Sequence, residues 1–336
     1  MKAICVNADR HLQVRDIPAP DAPPPGHVVV DIDACGINHG DKVFLARPGA
    51  AGGQLGGSNR VWGASAAGTV RAVGADVDAG IIGKKVAIYR SLSDSAQTIG
   101  LWCERAQVLF SSCVVLPDEA STRDYCASLV NVITPYAFVQ DVVAAGQRGI
   151  IATAGASATA LALAVLAQRQ GVAVIHLVRS DAERTRLRDL GIEHVLSTSD
   201  ADFDTSLGTL AERLATTAVF DGLGGALLQR LAPQLPMDTT IYVYGLLDAT
   251  APISITAQWL MSKNLVVRRF SNFNSVTVKD PARRQAALAD LRAVIGHPWL
   301  QTRIGQTFPF DAIDEALAYA GQDGTRAVLI PPAAQS

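Results

Sequence analysis

The spacing of apolar and polar residues changes character near residue 122. Before that point, short apolar runs are separated by Gly and Pro, as in HVVVDIDACGI at residues 27–37, a pattern typical of β-strands. After it, stretches with helical spacing alternate with short apolar runs: RGIIATAG is followed by ATALALAVLAQRQG, and VAVIHLV by DAERTRLRDLG. A succession of strand–helix units predicts a parallel sheet covered by helices on both faces.

These patterns predict an α/β protein with a mostly-β domain at residues 1–122 and a Rossmann-type, doubly wound parallel sheet at 123–264. The helical pattern after residue 122 is expected to break at Pro135, because proline disfavours a helix interior. The mixed pattern that starts with a strand at Leu265–Phe270 predicts that residues 265–336 return to the first domain.

The turn after RGIIATAG is a candidate nucleotide site. Such a turn needs a sharp reversal, close backbone approach to phosphate and a following helix whose free N–H groups face the anion. The positions where glycine is usual fall on Gly155, Ser157 and Ala160, so small residues replace two glycines. The predicted pyrophosphate-binding segment is Gly155, Ala156, Ser157, Ala158, Thr159 and Ala160, with phosphate bonds from the Ser157 and Thr159 hydroxyls. The alternative is an ordinary strand–helix turn.

The end of the next strand bears on which cofactor binds. An NAD site usually has Asp or Glu there for the ribose hydroxyls, but VIHLVRSD places Arg179 and Ser180 at this position. A guanidinium can pair with a 2′-phosphate through two hydrogen bonds, so we expect NADPH. Asp181 is expected to cap the next helix. The alternative for Arg179 is a solvated surface charge.

Composition narrows the function classes. The 336 residues are 49% hydrophobic and 18% charged, with a formal net charge of -2, which gives no reason to expect nucleic-acid binding. The sequence has no apolar run of the ~18 residues that a membrane span requires, and the first residues lack the apolar core of a signal peptide. Five scattered cysteines without a CxxC pair favour a reducing cytoplasm.

Several segments, taken in order, resemble the medium-chain dehydrogenase/reductase superfamily, of the zinc-independent quinone oxidoreductase and enoyl reductase type. They are VVVDIDACGINHGD, VWGASAAGTVRAVG, NVITPYAF, HLVRSD, FDGLGG with YVYGLL, and the terminal FDAIDEALAYAGQDGTRAVLIP. The resemblance implies a GroES-like catalytic domain at residues 1–122 that resumes at 265–336, and a Rossmann NADPH-binding domain at 123–264.

The resemblance departs from the zinc enzymes at their ligand positions. Asn38 stands where zinc alcohol dehydrogenases have a cysteine ligand, and Gly63, Ala64 and Ser65 stand where they have Gly-His-Glu. Cys35 and His39 are near but out of register, and Cys103 is the one cysteine in the region of the four-cysteine lobe. A catalytic zinc needs three protein ligands, so we predict no metal.

The resemblance supplies four candidate catalytic residues. Asn38 could donate to a substrate carbonyl, or could bond its own turn. Thr134 could hold the nicotinamide, or could cap a helix before Pro135. His39 could relay a proton or be a surface histidine, and Asp41 is expected to brace the turn.

The resemblance also implies cofactor contacts outside the turn. Gly245 is expected to approach the cofactor closely, Leu246 to cover the nicotinamide, and Arg326 to occupy the place of a family lysine. Tyr244 and Phe270 are candidates for the wall of the site or for the core. The remaining predicted cofactor-binding residues are Gly222 and Asn131, and the alternative for Asn131 is a buried structural amide.

The predicted function is NADPH-dependent reduction of a quinone or an α,β-unsaturated carbonyl by hydride transfer without zinc. The alternative of 2-enoyl-thioester reduction is weakened because the loop before Val61 lacks the tyrosine proton donor of those reductases. A second alternative is a non-catalytic NADPH-binding sensor or structural protein. The Gly-rich loop at residues 48–60 is expected to set the size of the small-molecule substrate.

The resemblance also implies a homodimer that pairs through the edge of the nucleotide-binding sheet. We expect that edge in TTIYVYGLLDATAPISI, at residues 239–255.

Overall fold

The computed structural model describes residues 1–46, 60–248, 250–321 and 324–332. The chain forms two compact units. Unit 1 comprises Met1–Ile133 and Asp280–Ser336, and unit 2 comprises Thr134–Lys279. The strands of unit 1 pair mostly antiparallel, with Ile304–Pro309 and Arg326–Ile330 in parallel, and unit 2 contains a parallel sheet, so the predicted fold class, a GroES-like domain with a Rossmann domain, is confirmed.

Unit 1 is built on a long buried strand. In chain order its N-terminal elements are β1 Lys2–Val6, β2 Leu12–Asp16, β3 His27–Gly36, α1 His39–Ala46, β4 Ser65–Val73, β5 Lys85–Tyr89, β6 Arg105–Leu109 and β7 Cys113–Val115. Helix α2, Ser128–Ala144, crosses the boundary between the units. β3 is paired on both edges, and nearly every residue of its apolar run is buried.

Unit 2 alternates strands and helices. Its elements are β8 Gly149–Ala152, α3 Ala158–Gln168, β9 Ala173–Val178, α4 Asp181–Asp189, β10 Val195–Ser197, α5 Phe203–Arg213, β11 Ala218–Asp221, α6 Leu227–Leu231, β12 Thr240–Val243, α7 Ala257–Ser262, β13 Val266–Arg269 and α8 Val276–Lys279. Unit 1 then resumes with α9 Pro281–Val294, β14 Ile304–Pro309, α10 Ile313–Ala318 and β15 Arg326–Ile330.

The described strands form three sheets. One is the β1–β2 hairpin. The second, in unit 1, has the order β14-β15-β3-β4-β5-β7, with β6 also paired to β3. The third, in unit 2, is parallel throughout with the order β10-β9-β8-β11-β12-β13. This is the doubly wound order in which the strand sequence reverses between β8 and β11, and ligands bind beyond the carboxyl ends of the strands at such a reversal.

An aromatic cluster fills part of unit 2. The ring of Phe138, on α2, stacks on Phe220 of β11 with centroids 4.1 Å apart, and Phe270 meets Phe138 edge-on at 5.4 Å. Tyr244 stacks on the Phe220 ring at 3.8 Å. These contacts fix the ends of β11 and β12 against the core. The predicted site residues Gly222, Tyr244 and Gly245 follow these two strands.

The domain boundaries differ from the predicted ones. The segment 123–133 belongs to unit 1, and 265–279 belongs to unit 2 rather than returning to the first domain. The reason for the second difference is that Val266–Arg269 pairs in parallel with β12 and extends the nucleotide-type sheet.

That pairing also corrects the predicted sheet edge. β12 is covered on either side, by β11 and β13, so the edge strand is β13 instead. Its four residues are exposed.

The predicted helix break at Pro135 is also wrong, because α2 runs through it. Proline removes one helical hydrogen bond, and the buried side chains of Val132, Ile133, Ala137 and Phe138 hold the turns on either side.

One described helical stretch, Thr122–Ala144, is long and apolar enough to cross a membrane by length and composition alone. However, 61% of its apolar window is buried inside the protein, as in the core helix of a globular domain.

The end of β3 tolerates no side chain at Gly36. A Cβ there would lie 2.7 Å from the Ala127 Cα and the Cys126 carbonyl oxygen, which are rigid backbone atoms. We expect Gly36→Ala to lower the free energy of unfolding by about 1–3 kcal/mol through overpacking, measured by urea denaturation.

The matched control is Gly40→Ala in α1, where the new Cβ would meet the Phe44 ring at an ordinary 3.6 Å. That variant should keep or slightly gain stability, since alanine favours a helix. Equal effects of the two substitutions would contradict the steric argument.

Candidate functional site

The first group of predicted residues lies in unit 1, in the turn between β3 and α1. The Asn38 side chain is 8% exposed. Its Nδ2 donates to the Ser65 hydroxyl at 3.1 Å, and its Oδ1 accepts from Asn131 Nδ2 at 3.3 Å. The side chain therefore bonds other elements of unit 1 rather than its own turn. No acceptor for the second Nδ2 hydrogen is found among the residues that the structure describes.

Asn131 and Arg326, both predicted to contact the cofactor, belong to the same network. Asn131 Nδ2 also donates to the Ala127 carbonyl at 2.7 Å, and Arg326 donates to Asn131 Oδ1 at 3.2 Å. The amide of Asn131 thus links Arg326 to Asn38. Asn131 therefore orients the Asn38 and Arg326 side chains, and its amide forms these hydrogen bonds within unit 1.

Asp41 is the brace of this turn. Its carboxylate accepts from the backbone N–H of Asn38 at 2.8 Å and of Ala64 at 3.1 Å, and its side chain is 1% exposed. Burial raises the pKa of Asp41 to about 6, although the two N–H bonds and the charges of Arg326 and Arg90 act in the opposite direction. Asp41 therefore joins the turn to the start of β4.

Arg326 and Arg90 lie close enough to Asp41 for their charges to act on it, and α1 carries two more basic side chains. His39 and Lys42 lie one helical turn apart on α1, and burial, Arg326 and Lys42 together lower the pKa of His39. Neutral imidazole is thus the main form of His39 at neutral pH, which disfavours it as a proton donor. Arg90, which the sequence did not single out, is buried, and its Nη1 has no partner among the described residues.

The second group lies in unit 2, in the turn between β8 and α3. A Cβ on Gly155 would lie 2.7 Å from the Leu177 carbonyl oxygen, so this first position requires glycine. Ser157 is the N-cap of α3 and accepts from the Ala160 N–H at 3.2 Å, and its hydroxyl also bonds the Tyr244 hydroxyl. Ala158, Thr159 and Ala160 are buried. The Ser157 hydroxyl is therefore used internally, and the phosphate contact expected from it is not supported by its position.

The end of β9 carries Arg179 and Ser180. The Arg179 side chain is exposed and has no partner within the described residues, while its backbone N–H donates to Glu183 Oε2 at 3.0 Å. Ser180 caps α4 by accepting from the Glu183 N–H at 3.3 Å. The predicted cap at Asp181 is therefore wrong by one residue, because Asp181 is the first helical residue and pairs with Arg184. The Ser-x-x-Glu spacing of a capping box could have indicated Glu183.

The turns after β11 and β12 pack closely on each other. A Cβ on Gly222 would lie 2.6 Å from the Tyr244 hydroxyl, and one on Gly245 would overlap the Gly222 carbonyl. Asp221, which is fully buried, holds the first turn by accepting from the Thr153 hydroxyl at 2.6 Å and the Gly224 N–H at 3.0 Å. Sequence reasoning missed Asp221 and Thr153, since a lone Asp at a strand end gives no signal of its partners.

The remaining predicted site residues of unit 2, which are Thr134, Leu246 and Phe270, lie in different environments. Thr134 lies inside α2 rather than capping a helix, and its hydroxyl accepts from Asn272 Nδ2 at 2.9 Å. Leu246 is 43% exposed. Phe270 is buried in the aromatic cluster, so the cofactor contact predicted for it is not supported.

Within the described ranges, no group of three or more His, Cys, Asp and Glu side chains is arranged to hold a metal ion. The predicted substrate-size loop at 48–60 lies outside the described residues except for Arg60.

The chain is similar in sequence and in fold to known proteins. Residues 24–118 match the alcohol dehydrogenase GroES-like domain. The chain is 24% identical over 316 residues to the rat synaptic vesicle membrane protein VAT-1 homolog, covering 89% of this chain and 74% of that protein. A mycobacterial quinone oxidoreductase superposes with a TM-score of 0.73 at 24% identity, covering 98% of this chain and 100% of the other. A mycobacterial protein in complex with NADPH superposes with a TM-score of 0.74 at 24% identity and the same coverage.

The chain has the fold of these solved structures, with a GroES-like domain and a Rossmann domain. Within this fold, unit 1 contains the GroES-like domain and unit 2 is the Rossmann domain. In the GroES-like domain, the side chains of Asn38 and Ser65, which we predicted to stand at the places of a cysteine ligand and a glutamate of the zinc enzymes, bond each other.

Asp41 gives the GroES-like domain a pH-dependent stability. Its pKa is about 6 in the folded chain and about 3.8 when unfolded, so the folded state binds more protons between these values. Stability relative to Asp41→Asn should therefore fall as pH rises from about 4 to 6, by up to about 3 kcal/mol. Urea unfolding at several pH values measures this difference.

The control is Asp311→Asn, which alters an exposed carboxyl of the same unit. Its difference from the unaltered protein should stay flat over the same range. If the Asp41→Asn difference were flat as well, the carboxyl would not be desolvated as described.

Proposed function

We propose that this chain is an NADPH-dependent oxidoreductase that reduces a quinone or an α,β-unsaturated carbonyl by hydride transfer without zinc. The observation that carries the proposal is the glycine-requiring turn at Gly155, placed where the parallel strand order of unit 2 reverses and next to a strand that ends in Arg179. The mycobacterial quinone oxidoreductase and the mycobacterial complex with NADPH share this fold.

The residues of unit 2 fit the phosphorylated cofactor. Three glycines, at positions 155, 222 and 245, stand where a Cβ would collide with neighbouring atoms, which are backbone at Gly155 and Gly245 and the Tyr244 side chain at Gly222. Glycine at such turns lets the backbone approach a ligand closely. The guanidinium of Arg179, which has no partner among the described residues, suits a 2′-phosphate. NADPH, when bound, supplies the hydride. Thr134 stays our candidate for holding the nicotinamide.

The residues of unit 1 fit the other requirement of the reaction. Reduction of a conjugated carbonyl or quinone places negative charge on oxygen, and a positioned donor in a positive environment stabilises that charge. Asn38 keeps one Nδ2 hydrogen free of the described acceptors, and its orientation is fixed by Ser65 and Asn131. Arg326, one amide away, adds positive charge. The proton then comes from water, since neutral His39 is a poor acid.

The two alternatives remain distinct hypotheses. An enoyl-thioester reductase would need a proton donor in place of the absent tyrosine, and a sensor would bind NADPH without turnover. A cytoplasmic location and a homodimer also stay predictions, with β13 in place of β12 as the sheet edge for pairing.

The function is tested by following the near-ultraviolet absorbance of NADPH with 1,4-benzoquinone, several enones and an enoyl thioester. We expect quinone or enone turnover in metal-free protein, and Asn38→Ala to lower kcat about 100-fold while the KM for NADPH is unchanged. Binding without oxidation would favour the sensor. Stoichiometric zinc that is required for turnover would contradict the mechanism.

Cofactor choice is tested at Arg179. We expect Arg179→Gln to raise the KM for NADPH about 10- to 100-fold and to leave that for NADH nearly unchanged, since NADH has no 2′-phosphate. Arg188→Gln, an exposed arginine on α4, is the matched control. Equal loss with the two cofactors would assign Arg179 a structural role instead.

A further inference from the structure

His176 lies beneath the nucleotide turn and is absent from the mechanism so far. It is on β9, its side chain is 1% exposed, and its Nδ1 lies 2.9 Å from the Gly155 carbonyl oxygen. A carbonyl oxygen only accepts, so Nδ1 carries the proton. Burial lowers the pKa of His176 to about 4, which keeps the ring neutral at physiological pH. Nε2 is buried without a partner among the described residues.

The bond to His176 is one of two that fasten Gly155 to β9. The Gly155 N–H donates to the Leu177 carbonyl at 2.9 Å, while its carbonyl accepts from His176. A Cβ at this position would overlap the backbone of β9. The glycine is therefore held on its amide side and on its carbonyl side by the neighbouring strand.

This fixes the direction of the next amide. In a planar trans peptide, the C=O and the following N–H point in opposite directions. Since the Gly155 carbonyl points to His176, the Ala156 N–H points away from β9. Ala156 is partly exposed, and its N–H has no acceptor in the described part of the chain. The Ser157 hydroxyl is meanwhile engaged by Ala160 and Tyr244.

We propose that His176 is a positioning residue for nucleotide binding: by holding the Gly155 carbonyl, it aims the Ala156 N–H at the pyrophosphate of the cofactor. This inference rests on the proposed function in that the ligand is a nicotinamide dinucleotide. The Ala156 N–H, oriented by His176, thus makes the phosphate contact that was expected from the Ser157 hydroxyl. Burying a polar atom such as Nε2 without a hydrogen-bond partner costs free energy. The role of His176 in holding this turn offsets that cost.

The test compares two substitutions at one position. Asparagine places an N–H where His176 has Nδ1–H, whereas leucine keeps the bulk and removes the donor. We expect His176→Leu to weaken NADP⁺ binding tenfold or more in calorimetry and His176→Asn to stay within about threefold of the unaltered protein. Binding of adenosine 2′-monophosphate, which has no pyrophosphate, should be unchanged in each variant.

A general loss of structure would weaken the binding of NADP⁺ and of adenosine 2′-monophosphate alike, and that result would overturn the proposal. So would full NADP⁺ affinity in His176→Leu, or no rescue by asparagine. If the leucine variant fails to fold, the Ala156 amide resonance of the unaltered protein decides: NADP⁺ should move it downfield, and an unmoved resonance overturns the proposal.

These outcomes are separable from those of the proposed function. NADP⁺ binding with the expected pattern but no quinone or enone turnover would reject the reaction and keep the role of His176. An unaltered protein that does not bind NADP⁺ would overturn the two together.

Discussion

Parallel strands that end side by side must turn away within a few residues, and the backbone groups at those turns need partners or a ligand. In unit 2 this constraint is met by glycine at the ends of β8, β11 and β12. Neighbouring backbone fills the space that a side chain would need at Gly155 and Gly245, and the Tyr244 side chain fills it at Gly222. Asp221, Thr153 and His176 then take up particular carbonyl and amide groups at these turns. The Ala156 N–H, which has no acceptor in the described part of the chain, points away from β9. In our proposal, the hydrogen bonds that Gly155 makes with β9 therefore orient this amide toward phosphate.

In unit 1, the arrangement of charged side chains is the main constraint. One buried carboxylate, Asp41, lies near Arg326 and Arg90, whose charges act on it. Its oxygens are bound to backbone N–H groups, and no ion pair joins it to either arginine among the described residues. Arg326 instead donates to Asn131, which bonds Asn38, so its positive charge lies close to an amide whose orientation is fixed. A group that must stabilise transient negative charge on a substrate oxygen benefits from such an arrangement, since the donors need not reorganise during the reaction.

The two units thus supply complementary properties in the proposed function. In that proposal, unit 2 supplies backbone donors and the exposed guanidinium of Arg179 for a phosphorylated cofactor, and unit 1 supplies an oriented amide near the Arg326 guanidinium. The neutral side chains of Asn38 and Ser65 bond each other at the positions that we predicted, from the resemblance, to correspond to ligand positions in the zinc enzymes. Hydride transfer to a conjugated bond requires orientation and charge stabilisation, which these groups provide.

Local pattern was enough to predict the mostly-β first part, the strand–helix alternation of unit 2, the turn between β8 and α3 and the arginine after β9, because each depends on residues adjacent in sequence. The sequence could not place Leu265–Phe270 in its sheet, since a short apolar strand pairs equally well with either domain until its neighbours are known. It could not show that Phe270 is core while Asn131 orients Asn38. Nor could it show that His176 serves Gly155 from 21 residues away. Side-chain type and spacing fix what a group can do, but only tertiary packing decides which partner it meets, because hydrogen bonds and burial depend on distances that the chain order does not encode.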